Sequence, residues 1–441
     1  MELSDNNEKK EMEKSEPEGG LKMKVCFIFF GIGSLLAWNA ILSDIGFFIH
    51  FQEKFDPSTS FAFLNFSLNI VFQFIMIFKK QLLSFKIQLL FGLVASVIII
   101  VILPLIVVSF EKESTIGFVF TAILILFQGL VNALCCNGFF GLASFFPIEM
   151  IIALSSGQGI SGILMNIITY IVLFFVNTGN EDNNNKYGAI IFFSISGFIL
   201  LICLFILLFS FKSEYFRYYL GKTKDFSQSR ENIENVKEAL VTRSSEGENN
   251  NLAVNGTVPM NNQEVSFFQL SKMLFDIDLL SAFIYIITFA LFPSCCIKQN
   301  LFGLKEYNVS YNATTIITIY NVCDTIGRSI VSKIKPTKIL SYIIILSRAI
   351  LLFTFLFVYY CAERLGMETV LSSILLIVNV SILALTNGAG TSLCLGIAPT
   401  LVPDELKGRA GGSVAFFNIL GIFIGTCVAF LTNFIIGKIE K

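Results

Sequence analysis

The sequence predicts an all-α polytopic membrane protein of about eleven transmembrane helices, arranged as six and then five. Three observations predict it. Of its 441 residues, 54% are hydrophobic and only 14% are charged, whereas soluble domains carry about 25% charged residues. Apolar runs of about 20 residues, long enough to cross a bilayer as a helix, recur along the chain. One long polar stretch, residues 212–272, interrupts them. Barrel strands would instead alternate in short segments.

Residues 1–22 form a polar tail of mixed charge. It lacks the apolar core of a cleavable signal peptide, so the first run is expected to stay as an anchor. That span runs from about Cys26 to Phe48, and the second from Phe61 to Phe78. The third covers Ile87 to Val108, the fourth Gly117 to Phe146, the fifth Ile160 to Val176 and the sixth Ala189 to Phe211. The remaining five are Leu279 to Ile297, Thr314 to Val331, Ile339 to Tyr360, Val370 to Ile397 and Gly411 to Ile436. The chain therefore divides into a tail (1–22), a six-helix bundle (23–211), a loop (212–275) and a five-helix bundle (276–441). The loop is rich in Asn, Glu, Ser and Lys, with few large apolar residues after Leu220. That composition cannot bury a core and predicts disorder.

Basic residues set the orientation. Lys79, Lys80 and Lys86 lie between spans two and three; Lys212, Arg217, Lys222 and Lys224 follow span six. Lys333, Lys335 and Lys338 follow span eight, and Lys407 and Arg409 precede span eleven. All fall on one side, the cytoplasmic side by the positive-inside rule, together with the N-terminus. On the opposite side, Asn308-Val309-Ser310 and Asn312-Ala313-Thr314 are glycosylation sequons. Chance in an Asn-rich chain is the alternative reading.

Composition also excludes function classes. A net charge of −1 gives no bulk attraction to nucleic acid, and a single histidine, His50, argues against His-based metal sites or catalytic triads. The ten cysteines include no C-x-x-C pair; inside apolar runs they behave as small hydrophobes. No surface cluster of acids and histidines marks a membrane enzyme, and no cofactor is implied. The 48 phenylalanines fit an AT-rich coding bias and are silent on mechanism.

Polar residues inside the apolar runs are the candidates for function. In span eight, Asn321, Asp324 and Arg328 stand at i, i+3 and i+7, within about 60° on one helical face. A charge at the bilayer centre costs about 2.5–3.5 kcal/mol on insertion scales. The pair has two readings: a self-neutralising lock between helices, or a substrate site whose donors and acceptors match vicinal hydroxyls or a polar ring. Both can hold together. In span one, Trp38 and Asn39 follow Gly31-Ile32-Gly33-Ser34-Leu35-Leu36-Ala37. Trp38 suits stacking on a flat ligand or the interfacial belt. Leu35, Leu42 and Asn387 are weaker candidates to line a cavity. Gln158 lies between Gly157 and Gly159 at the join of spans four and five, as a ligand or as part of a packing surface. Asp44 and His50 read as vestibule residues. Gly421 and Gly425 form a G-x-x-x-G packing motif.

Together these residues resemble the equilibrative nucleoside transporters. The resemblance rests on G-x-G-x-L-L-x-W-N at Gly31 to Asn39 and F-G-L-A…P…S-G-Q-G-x-x-G at Phe140 to Gly162. It continues through N-x-x-D-x-x-G-R at Asn321 to Arg328, Ser347-Arg348, Asn387-Gly388 and G-x-x-A-F-F…G-x-x-x-G at Gly412 to Gly425. These occur in family order over about residues 24–436. The resemblance implies a major-facilitator-like fold and downhill carriage of nucleosides or nucleobases by alternating access. It implies Trp38 beside the base, Gln158 bonded to it, Asp324 and Arg328 on the sugar hydroxyls, and Asn39 and Asn321 near the cavity. Lipid and a small solute are the implied partners, a monomer the simplest assembly and the plasma membrane the default site. A proton-coupled variant titrating Asp324, or carriage of another small polar solute, is the alternative. Ala37 replaces a common proline, the segment after Arg348 lacks one, Ala389 stands where an aromatic is common, and Asn418 interrupts span eleven.

Overall fold

A computed structural model describes residues 20–78, 85–143, 145–176, 180–220, 267–331, 334, 337–364, 369–403 and 406–439. The tail to residue 19 and loop residues 221–266 lie outside them, as do Lys79, Lys80, Lys333 and Lys335. In the first half, α1 (Gly20–Ser43) and the short α2 (Ile45–Gln52) precede α3 (Pro57–Phe78), α4 (Phe85–Ser109), α5 (Thr115–Ala143), α6 (Ile148–Phe175) and α7 (Glu181–Ser210). The second half holds α8 (Phe267–Met273), α9 (Phe275–Leu291), α10 (Ser294–Ile297), α11 (Leu304–Tyr307) and α12 (Val309–Val331). It continues with α13 (Lys338–Ser347), α14 (Ala349–Arg364), α15 (Thr369–Ile397) and α16 (Lys407–Ile439). No strand occurs among the described residues.

Ten helical segments among them are long and apolar enough to cross a membrane. The eleventh span is α12. Its 23 residues suffice in length, about 35 Å at 1.5 Å per residue, but its polar face takes it below the hydropathy of the others. Large apolar side chains such as Phe198, Phe205, Phe353 and Phe434 point outward from the bundle, each more than half exposed. That arrangement suits a protein whose solvent is lipid.

Glycines organise the packing, and they do so twice. In the first half, a Cβ on Gly31 of α1 would lie 2.0 Å from the Leu154 carbonyl oxygen of α6. One on Gly129 of α5 would lie 1.9 Å from that of Asn65 in α3. In the second half, a Cβ on Gly421 of α16 would lie 2.2 Å from the Ala282 carbonyl oxygen of α9, and one on Gly388 of α15 would lie 2.0 Å from that of Asp324 in α12. Within each half, therefore, the first span crosses the fifth and the second crosses the fourth. Only glycine allows these backbones so close. The same pair of crossings thus repeats between the halves.

Several spans start earlier than expected, the sixth at Glu181 rather than Ala189, and three differences bear on the site. The fifth span begins at Ile148 rather than Ile160, so Ser155 to Gly159 are helical and Gln158 sits inside α6. Its Gly157 packs against α1, a Cβ there falling 2.1 Å from the Ile28 carbonyl oxygen. The first span breaks at Asp44 and the ninth at Arg348, between α13 and α14.

The polar bonds that join the halves gather at the end carrying Asp56, Lys298 and Asn308, which is outer in the orientation the lysine pattern predicts. Lys298 Nζ donates to Asp56 Oδ2 at 2.8 Å. Asn433 Nδ2 reaches Thr59 Oγ1 (2.7 Å), Ser294 Oγ (2.8 Å) and Asp56 Oδ2 (3.3 Å). Tyr170 Oη donates to Thr315 Oγ1 at 2.9 Å, and Thr314 Oγ1 to the Ser43 carbonyl at 3.2 Å. Phe63 stacks on Phe430 across the same boundary, with centroids 5.4 Å apart. The outer face is thus closed.

One sequon expectation is corrected. Asn312 is 1% exposed. Its Nδ2 donates to the carbonyls of Ile297 (3.2 Å) and Gln299 (2.9 Å), and its Oδ1 accepts from Leu301 N–H at 2.9 Å. It staples the α10–α11 segment to α12 and has no amide free for a glycan. Asn308 is only half-buried and caps α12, accepting from Tyr311 N–H at 3.1 Å. In a glycosylating host, Asn312→Gln is expected to leave gel mobility unchanged; a glycosidase-sensitive shift lost in this variant would contradict the assignment.

Candidate functional site

The site begins with the polar face of α12. Arg328 Nε donates to Asp324 Oδ2 at 2.7 Å, one helical turn apart. The other carboxylate oxygen, Oδ1, accepts from Asn387 Nδ2 of α15 at 2.7 Å. The Gly388 crossing sets this contact, because it seats α15 directly on the Asp324 backbone. Gly327 of α12 returns the contact, its Cβ position 2.2 Å from the Leu385 carbonyl. Asp324 is 8% exposed, while the Arg328 side chain keeps 20% of its surface open.

From Asn387 the network runs deeper. Thr288 Oγ1 of α9 donates to Asn387 Oδ1 at 2.8 Å. Arg348 donates to Thr288 Oγ1 in turn, and also to Thr386 Oγ1 (2.6 Å) and the carbonyls of Leu383 (2.9 Å) and Ile284 (3.3 Å). Arg348 is 1% exposed and heads the fully buried side chains by size. A guanidinium there stands only because oxygens from α9 and α15 surround it. Arg348 and Thr288 carry the site yet stand outside the sequence-derived set.

The α1–α6 pair faces this array from the first half. A Cβ on Gly162 would lie 2.9 Å from Asn321 Cγ, and one on Gly159 would lie 3.4 Å from Thr325 Oγ1 and 3.9 Å from Arg328 Cδ. Gln158 Nε2, beside Gly159, donates to Ser34 Oγ at 3.1 Å and lies 4.0 Å from Cys136 Sγ. Asn39 Nδ2 donates to Ser161 Oγ, which donates to the Gln158 carbonyl at 2.7 Å. Gln158, Asn39, Asn321, Asp324, Arg328 and Asn387 are therefore brought together on four helices from both halves.

Trp38 sits elsewhere on the same inner surface. It meets Phe66 of α3 edge-on at 5.2 Å, and Phe66 meets Phe289 of α9 at 5.3 Å. The three rings bridge the two halves. Leu42 is buried and Leu35 half-buried on α1. Asp44, expected in a vestibule, is instead buried.

Two glycine-crossed bundles with a charged polar array between them make a fold of the major-facilitator type. Solved structures of that class share the fold. The D-xylose-proton symporter aligns with a TM-score of 0.59 at 12% identity, covering 91% of this chain and 88% of that one. The nucleoside transporter NupG aligns with a TM-score of 0.52 at 12% identity, covering 92% and 90%. The nucleoside transporter family matches residues 121–434, and the chain belongs to it. It is 25% identical over 426 residues to Equilibrative nucleotide transporter 7 of Arabidopsis thaliana, covering 95% of this chain and 96% of that protein. To Equilibrative nucleoside transporter 1 of Homo sapiens it is 21% identical over 454 residues, covering 93% and 96%.

Proposed function

We propose that this transporter carries nucleosides, and nucleobases as smaller cargo, down their gradients by alternating access. The observation that carries the reading is the juxtaposition of Arg328 and Asn321 on α12 with Gly159 and Gly162 on α6. A cationic, amide-bearing face meets a face without side chains, at the boundary where the halves rock. A nucleoside is flat at one end and hydroxylated at the other. Trp38 with Phe66 and Phe289 gives an aromatic wall for the base, and Gln158 and Asn39 offer amides to its edge. Arg328 offers donors to the sugar oxygens. Asp324 holds Arg328 in place and accepts from a hydroxyl when the halves separate. We further assign it to the plasma membrane as a monomer.

The test is uptake of radiolabelled adenosine, inosine, uridine and hypoxanthine in cells lacking their own purine carriers. Saturable, mutually competing uptake is the expected result. No uptake of any of the four, from protein verified at the surface, would remove the reading. Gln158→Ala should change the ratio of purine to pyrimidine uptake several-fold, since one lost hydrogen bond to a charge-free partner is worth about 0.5–1.5 kcal/mol. Equal loss for all four substrates would instead make Gln158 a packing residue of α6.

A further inference from the structure

Asp44 sits at the break between α1 and α2, where a carboxylate has no evident business. It is 6% exposed. Its side chain does not cap α2, and among the described residues no basic group or hydrogen-bond donor reaches its carboxyl. The carboxyl borders a small pocket shared with Thr169, Asn184, Asn185, Val172 and Phe192. Asp44 is the one ionisable side chain in that lining.

The surroundings place this pocket under the outer closure. Ser43, the preceding residue, accepts through its carbonyl from Thr314 Oγ1. Gly46, two residues on, is pressed against Ser310, its Cβ position 2.4 Å from the Ser310 Cα. Ser310 Oγ donates to Asn185 Oδ1, in the pocket wall, at 3.4 Å. The lining itself comes wholly from the first half, and the start of α12 lies against its Asn185 wall. Parting α12 from α1, α2 and α7 would uncover the Ser43–Gly46 break and the Asn185 wall to the outer solution.

We propose that Asp44 is a proton-binding site, through which external pH biases the closing of the outer face. A buried carboxylate without a cation or donors is too costly to keep ionised, so the closed state holds the neutral acid. Once open to water, the carboxyl ionises in the ordinary range, near about 4. Closing therefore takes up one proton, acid favours the closed outer face, and alkali favours the open one. The limiting dependence for one proton is about tenfold in the equilibrium per pH unit. This regulation rests on the transporter reading only for its effect on flux.

Other titratable groups lie on the elements packed around Asp44 but not in the pocket lining: His50 on α2, Tyr170 on α6, Glu181, Asp182 and Lys186 on α7, and Tyr311 on α12. His50 is the rival sensor. Its Nε2 lies 2.6 Å from Asp182 Oδ1, and Lys112 Nζ lies 2.5 Å from the same oxygen. That cluster stays within the first half and does not reach α12.

The test places two reporters in the purified protein in nanodiscs, where no nucleoside is needed and failure of the substrate reading cannot affect the outcome. Thr59→Cys, 2% exposed between Ser294 and Asn433, reports the outer seal; Tyr307→Cys, 80% exposed, corrects for thiol reactivity. The ratio of their labelling by a hydrophilic maleimide is followed from about pH 5.5 to about pH 8.5. The expected ratio rises at least several-fold with pH in the parent and in His50→Gln, and is flat and low in Asp44→Asn. Asp44→Glu, which keeps the carboxyl, should retain the rise. A flat ratio in the parent, an unchanged rise in Asp44→Asn, or a rise abolished by His50→Gln would each overturn the proposal.

Discussion

Asp324→Asn should lower nucleoside uptake by more than tenfold while the protein still reaches the surface. The substitution keeps the shape of the side chain and its contact with Asn387, but it removes the negative charge that Arg328 Nε meets at 2.7 Å. With Asp324 and Arg328 both largely covered, an uncompensated guanidinium remains, and breaking a buried pair in this way costs about 3–5 kcal/mol. Part of that cost falls on whichever conformation buries Arg328 most, so rocking is impaired along with binding. Arg328→Ala should be as damaging, through loss of the sugar-facing donors. The double exchange Asp324→Arg with Arg328→Asp separates two roles. It restores opposite charges one turn apart but reverses which helix position carries the donor. Folded protein at the surface without restored uptake is expected. Full recovery of uptake would reduce the pair to a lock between helices.

Gly388→Val should prevent the second half from assembling. Its Cβ would lie 2.0 Å from the Asp324 carbonyl oxygen and 3.0 Å from Arg328 N, all backbone that no rotamer change can move. Relief requires α15 to withdraw from α12, which breaks the Asn387–Asp324 bond and loosens the oxygens around Arg348. Overpacking typically costs 1–3 kcal/mol, and the backbone clash places this variant at or above about 3 kcal/mol. The readout is the yield of monodisperse protein and its melting temperature in detergent. Gly411→Val on α16, where a Cβ meets nothing within 4 Å, is the matched control and should behave as the parent. Equal melting temperatures for the two variants would contradict the role assigned to the crossing.

Much of this architecture is legible before any coordinates, because apolar runs near 20 residues have few alternatives in a membrane. The polar face of α12 is legible for the same reason, since Asp324 and Arg328 stand out against Ile316, Ile317 and Ile326. The misses have physical causes. Ser155 to Gly159 fall at the join of spans four and five in the sequence because small residues weaken a helical signal, yet those residues are what let α6 lie against α1. The break at Asp44 leaves no mark in composition, since one acid in an apolar run looks the same in a continuous helix. Arg348 was within reach: the rule that singles out Arg328, a charge inside an apolar span, applies equally to it. The buried amides Asn65 and Asn69 of α3, and Gln128 and Asn132 of α5, were legible too, by their four-residue spacing on one face. Thr288 carries no such signal, because hydroxyls are common in membrane helices and only its neighbours distinguish it. Asn312 shows the reverse error, a motif match that tertiary bonds overrule.

Movement of nucleosides across a bilayer, with Asp324 and Arg328 at the substrate, can be measured directly. The most direct measurement is exchange of labelled adenosine or uridine by the purified protein in proteoliposomes, at equal pH on both sides, with Asp324→Asn in parallel. Saturable exchange is expected, accelerated by unlabelled nucleoside on the far side, reaching equal concentrations inside and out, and collapsing in the variant. Exchange of the same rate in Asp324→Asn, or none in the parent protein while it remains folded and inserted, would contradict it.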